Sequence, residues 1–248
     1  MIFSPALIAV IFVSGALIRC AGVGGVLLVP ALHLLGVLPL HQAIPVAMMS
    51  FVITGLIGTL DHSRNGNLPW RLAIPLCVGS MPGAFFGAWF LNQISANILS
   101  LFFGLFVLSA GIYALTNQSQ KTKQAIWAST ISNQLLFGLV CGFGSALTGT
   151  GGPMLLVPIL LFAGLPVLSV ISLAQVIQIP IASMATIGNL LHGEIDFKLG
   201  VILALLLGIG AFIGGRVAHR IPVSIIKKTV AVILIFTGLF LIYQTNID

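Results

Sequence analysis

Ten stretches of apolar residues, most close to twenty long and nearly free of charge, decide what this chain can fold into. About 20 consecutive apolar residues are what a helix needs to cross the hydrocarbon of a bilayer. Only 6% of the 248 residues are charged and 58% are hydrophobic, whereas soluble domains carry about 25% charged residues. Water is therefore not the main solvent of this chain, and it reads as an integral membrane protein. The runs are continuous rather than alternating, so they predict helices and not the strands of a membrane barrel. A net charge of +6 would suggest nucleic acid in a soluble protein. Here it fits basic residues collected in cytoplasmic loops, and no nucleic acid is expected.

The first half divides into Ile2–Arg19, Val26–Leu38, Ala43–Leu60, Leu72–Leu91 and Ile98–Leu115. The second divides into Ile131–Leu147, Met154–Leu165, Val170–Leu191, Leu199–Val217 and Lys228–Tyr243. A polar stretch, 117–128, is the predicted cytoplasmic linker between a first membrane repeat, 1–116, and a second, 129–248. Ile2–Ile18 has no basic start, so it is expected to stay as the first helix rather than leave as a signal peptide. Cys20, Cys77 and Cys141 lie in apolar segments without paired spacing, which indicates neither a disulfide framework nor a metal site.

The halves repeat one another. Gly22-Val23-Gly24-Gly25 with Leu27-Leu28-Val29-Pro30 returns as Gly149-Thr150-Gly151-Gly152 with Leu155-Leu156-Val157-Pro158. Gly83 to Gly87 returns as Gly210 to Gly214, and Gly111 as Gly238. The offset is 127 residues, or 128 near the prolines, and it holds over roughly 90 residues. A glycine pattern alone would only permit close helix packing; a register kept this far indicates duplication. The second segment of each half is short and interrupted by Pro30 or Pro158, which predicts short broken helices or hairpins at the glycine elements.

Charge counting sets the expected topology. With an odd number of crossings per half, nine of the ten basic residues fall on one side and only Lys198 on the other. With an even number they split five to five. The positive-inside rule selects the odd count and places both termini outside the cytoplasm. The fold class expected is thus an all-α polytopic membrane protein of two inverted repeats, about five helical segments each, an architecture that recurs in transporters.

Inverted repeats place substrate where discontinuous helices expose backbone groups. The candidate substrate-binding residues are Gly22, Gly24 and Gly25 with Gly149, Thr150, Gly151 and Gly152. Unpaired N–H groups and the positive dipole end at the start of a short helix suit an anion; the same glycines also suit tight turns and packing. Ser50, Gln175 and Gln178 join them, because polar groups in apolar segments must face partners or a cavity; ordinary interhelical bonding explains them equally well. Arg19, without counterpart in the repeat (Ala146), either adds positive charge to an anion path or anchors at the interface. The four acids, Asp61, Glu194, Asp196 and Asp248, all read as loop or terminal residues. A proton pump or cation exchanger typically carries an intramembrane carboxylate. An anion leaving a negative cytoplasm runs downhill by about 2.3 kcal/mol per charge per 100 mV and needs no ion partner. No cofactor and no metal are expected. The implied partners are a small anion and the bilayer; assembly as a homodimer stays open.

The paired glycine elements, each followed by Val-Pro, the downstream Gly-x-x-x-Gly helices and the two-fold repeat resemble the TauE/SafE family of bacterial sulfite and organosulfonate exporters. The likeness covers about Pro5 to Tyr243. It implies a plasma-membrane carrier, not an enzyme, exporting sulfite, sulfonates or related sulfur anions by alternating access. Uptake of sulfur or carboxylate anions is the alternative direction. An intramembrane enzyme is the rival from another class: Gly144-Ser145-Ala146 with the distant His192 has a faint likeness to the dyad of rhomboid proteases. It lacks the glycine after the serine motif, and nothing in the chain brings Ser145 to His192.

Overall fold

The computed structural model describes residues 4–21, 25–35, 38–95, 97–99, 130–163, 165–193 and 195–217, with further positions between 101 and 112 and between 232 and 243. Gly22, Gly24, the linker 117–128 and much of the Lys228–Tyr243 segment lie outside the described residues. Among the described residues the fold is all-helical, as the apolar runs predict. Its helices are α1 (Pro5–Ala21), α2 (Gly25–Leu34), α3 (Leu40–Arg64), α4 (Trp70–Leu91), α5 (Ile131–Thr148), α6 (Pro153–Phe162), α7 (Val167–His192) and α8 (Phe197–Val217). The described positions within 97–112 and 232–243 are also helical, and Gly104 and Gly238 pack those two segments together.

Length separates two kinds of helix. α3, α4, α5 and α7 are long and apolar enough to cross a membrane. α2 and α6 have 10 residues each, which at 1.5 Å per residue is about 15 Å, half the thickness of a bilayer core of about 30 Å. The short helices expected at the glycine elements are therefore present, though neither is interrupted at its proline: α2 runs on through Pro30 and α6 through Pro158. α3 runs four residues past the expected Leu60, to Arg64; Gly66 with φ 67° then turns the chain, and the N–H of Asn67 donates to the His62 carbonyl.

Packing runs mostly between the two halves. The first helix of each half lies along the fourth helix of the other, α1 on α8 and α5 on α4, while the third helices, α3 and α7, lie on each other. Glycines make the approach close. A Cβ on Gly79, Gly83 or Gly87 of α4 would strike the backbone of Leu135, Leu139 or Phe143 in α5, and one on Gly138 or Gly142 would strike Leu76 or Ser80 in return. Matching residues rise together, so α4 and α5 run parallel. The α1–α8 seam repeats the device, with Gly15 against Leu207 and Gly210 against Phe12. Across α3 and α7 the order reverses: Thr54 meets Gln178, Gly58 meets Gln175, and the Ser172 hydroxyl donates to the Asn67 carbonyl. Those two helices are antiparallel, and their interface is the centre of the core, where Ile44, Met48, Phe51, Leu173, Ile177 and Ile181 are buried.

Candidate functional site

The second glycine element is a buried turn that only glycine tolerates. Gly149 ends α5 in the left-handed region at φ 64°, with its N–H and that of Thr150 both returning to the Ser145 carbonyl, the bonding of a left-handed helix end. The Thr148 hydroxyl donates to the Gly144 carbonyl at 2.7 Å and lies 3.0 Å from the Thr150 hydroxyl. Gly151 and Gly152 follow at φ 77° and 107°, and Pro153 opens α6, a first position where its missing N–H costs nothing. All of Gly149 to Gly152 is buried. Added Cβ atoms would meet Val29 from Gly149, Phe51 from Gly151 and Ile181 from Gly152, at 2.7, 2.9 and 2.7 Å.

Gly25, the described glycine of the first element, reaches the same place. Gly25 opens α2, and a Cβ there would lie 2.9 Å from the Thr150 carbonyl oxygen and 3.0 Å from Cζ of Phe51. The N-terminal ends of both short helices thus meet at one point, with the Phe51 ring against each. Phe51 stands near the middle of α3 and is fully buried. Nothing in the chain singled it out: it is one of 16 phenylalanines in a run of core residues, and its role comes from partners on α2 and the α5–α6 turn.

One face of α3 links this point to the other candidates. The Thr54 hydroxyl donates to the Phe51 carbonyl at 3.0 Å and accepts from Nε2 of Gln178 at 3.0 Å. Ser50 instead donates to Ala47 within its own helix at 2.6 Å, so Thr54 rather than Ser50 meets Gln178. Gly55 and Gly58 leave room for α7, and the Gln175 amide lies on Gly58 with Nε2 donating to the Ile18 carbonyl at the end of α1. Gln175 and Gln178 are buried, and Oε1 of each has no partner among the described residues. With their nitrogens engaged, these two oxygens require a donor, and a buried acceptor without one costs about 1–3 kcal/mol.

Arg19 is placed farther along the same face. Its Nη2 lies 2.7 Å from Oδ2 of Asp61, and Nη1 donates to the Ile57 carbonyl at 3.3 Å. Asp61 is ten residues beyond Phe51, about 15 Å at the rise of a helix. Arg19 and the glycine turn therefore hold different ends of the α3 face rather than one small ligand together. The expectation that every acid lies in a loop or terminus fails for Asp61, which occupies the last turn of α3 and pairs with Arg19. A helix end is hard to place in sequence when polar residues enter its final turn, as Asp61, His62 and Ser63 do here. Asp196 is where a loop acid is useful: its Oδ1 accepts from the Leu199 N–H at the start of α8.

No hydrogen bond joins the remaining pair of interest. The Ser145 hydroxyl is buried without a partner among the described residues, while Nδ1 of His192 is 3.1 Å from the Gly188 carbonyl and its ring lies edge-on to Phe85. Among the described residues no three His, Cys, Asp or Glu side chains gather to hold a metal ion.

Comparison with known proteins agrees with this architecture. The family described as Sulfite exporter TauE/SafE matches residues 7–241. The chain is similar to the probable membrane transporter protein YdhB of Bacillus subtilis, 24% identical over 96% of this chain and 99% of that protein. It is 28% identical to YunE of the same organism over 89% and 90% of the two chains. It is also 24% identical to MJ0441 of Methanocaldococcus jannaschii over 98% and 96%. Both are likewise described as probable membrane transporter proteins. No solved structure matches.

Proposed function

The chain belongs to the sulfite exporter TauE/SafE family, and on that premise we propose that it is a secondary carrier moving small sulfur-containing anions, sulfite or organosulfonates, out of the cytoplasm by alternating access. The observation that carries this reading is the meeting of two half-length helices by their N-terminal ends at Gly25 and Thr150–Gly151. The first four N–H groups of a helix have no partner within it, and its N-terminal end carries about half a positive charge. Two such ends aimed at one point suit an oxyanion without any fixed cation beside it. The unpartnered oxygens of Gln175 and Gln178 need donors, which a hydrated or singly protonated oxyanion supplies. The repeats are inverted in the membrane in this reading, supported by the antiparallel α3 and α7 and by the basic residues on one side. The linker 117–128 then faces the cytoplasm, and both termini face away from it.

Liposomes containing the purified protein test this directly. Sulfite and methanesulfonate loaded inside are expected to leave faster than from empty liposomes, and a membrane potential, negative inside, should speed them further. Movement of only cations or neutral sugars would overturn the assignment.

A further inference from the structure

We propose that Asp61 is a displaceable counter-ion: it holds Arg19 in the empty carrier and gives way to a substrate oxyanion, making this pair the first anion-binding step on the cytoplasmic side. The proposal rests on the anion-carrier reading above. Arg19 closes α1 just before the first glycine element, and its guanidinium is shared between Asp61 at 2.7 Å and the Ile57 carbonyl at 3.3 Å. The two partners differ in exposure, 16% for the Arg19 side chain and 46% for Asp61. That difference decides which can leave. An enclosed guanidinium stripped of its counter-charge is strongly disfavoured, whereas a half-exposed carboxylate turns to water readily. A sulfite, sulfonate or carboxylate presents the same two-oxygen face to the guanidinium fork, so exchange never leaves Arg19 unpaired. Of the other cations whose side chains are described, Arg64, Arg71 and Lys198 are exposed, so Arg19 alone among them reaches inside.

The repeat argues that the charge serves more than anchoring. The equivalents of Arg19 and Asp61 in the second half are Ala146 and Gly188, with Asn189 beside it. There Asn189 accepts from the Asn92 amide at 3.2 Å, so the corresponding helix end is held by a neutral contact. An ion pair is not what the duplicated scaffold demands. From Asp61 the shared face of α3 leads past Gly58 and Gln175, then Thr54 and Gln178, to Phe51 and the glycine turn.

Sulfite flux from liposomes, measured against internal sulfite concentration with the full chain, separates this role from a mere anchor. Asp61→Asn is expected to lower KM about threefold or more by removing the competitor, and Arg19→Gln to raise it about tenfold, the scale of one charge-assisted hydrogen bond. The double swap Arg19→Asp with Asp61→Arg keeps an ion pair but moves the cation to α3; it should retain the weak binding of Arg19→Gln. Restoration of the wild-type KM by the swap would show an anchor and overturn the proposal. So would an unchanged KM in Asp61→Asn. If Asp61→Asn does not insert into the membrane, the swap decides alone. Absence of sulfite, methanesulfonate and acetate flux from the wild-type protein is a different failure, removing the carrier reading itself and this step with it.

Discussion

At Gly151 a single hydrogen in place of a side chain does two things at once. It allows φ of 77° and leaves space for the Phe51 ring, which would sit 2.9 Å from any Cβ. A strained backbone of this kind costs about 1–3 kcal/mol for other residues, and overpacking a core adds about 1–3 kcal/mol. Gly151→Val is therefore expected to lower the thermal unfolding midpoint and abolish sulfite flux while the protein still reaches the membrane; unchanged flux would remove the turn from the site. Phe51→Ala leaves a cavity worth about 3–5 kcal/mol between two glycine elements, and its midpoint should fall further than that of Phe51→Leu. The glycine pattern was legible because glycine is informative wherever it recurs. Phe51 was not, since a core aromatic acquires meaning only from what touches it. Gln178→Leu strands no donor, because the Thr54 hydroxyl keeps its bond to Phe51; little change in midpoint but a clear rise in KM for sulfite would mark Gln178 as a ligand rather than a strut.

Among the elements, the α4–α5 seam offers the sharpest expectation. Glycines at 79, 83 and 87 face backbone rather than flexible side chains in α5, so an added side chain has nothing to push aside but the helix itself. α4 and α5 come from different halves of the chain. Halves expressed separately, divided within 117–128, should assemble through this seam, and Gly83→Leu should stop them co-purifying. Co-purification of the Gly83→Leu halves would show that the seam is dispensable. The helices themselves were readable from apolar run length, and the short α2 and α6 from apolar segments of only 13 and 12 residues, although each helix runs on through its proline. The end of α3 was not, because Asp61 looks like a loop residue until Arg19 is seen beside it.

For the whole molecule, the contacts follow the duplication: equivalent helices exchange partners across the halves, and α3 lies antiparallel to α7. If the repeats are inverted in the membrane, a reporter fused after Asp248 should be active only outside the cytoplasm and one inserted in 117–128 only inside it. A cytoplasmic C-terminus would refute the odd count of crossings. The sequence by itself determined the solvent, the helical class and the glycine elements at which helices stop and restart, because each depends on composition or on spacing along a few turns. Only the tertiary structure decided that the two breaks meet, that Phe51 stands against both and that Asp61 belongs to Arg19. Those contacts join residues from 26 to 125 positions apart, and which faces interlock at such separations is set by the packing of whole helices, where glycines allow backbones to close, rather than by any local preference.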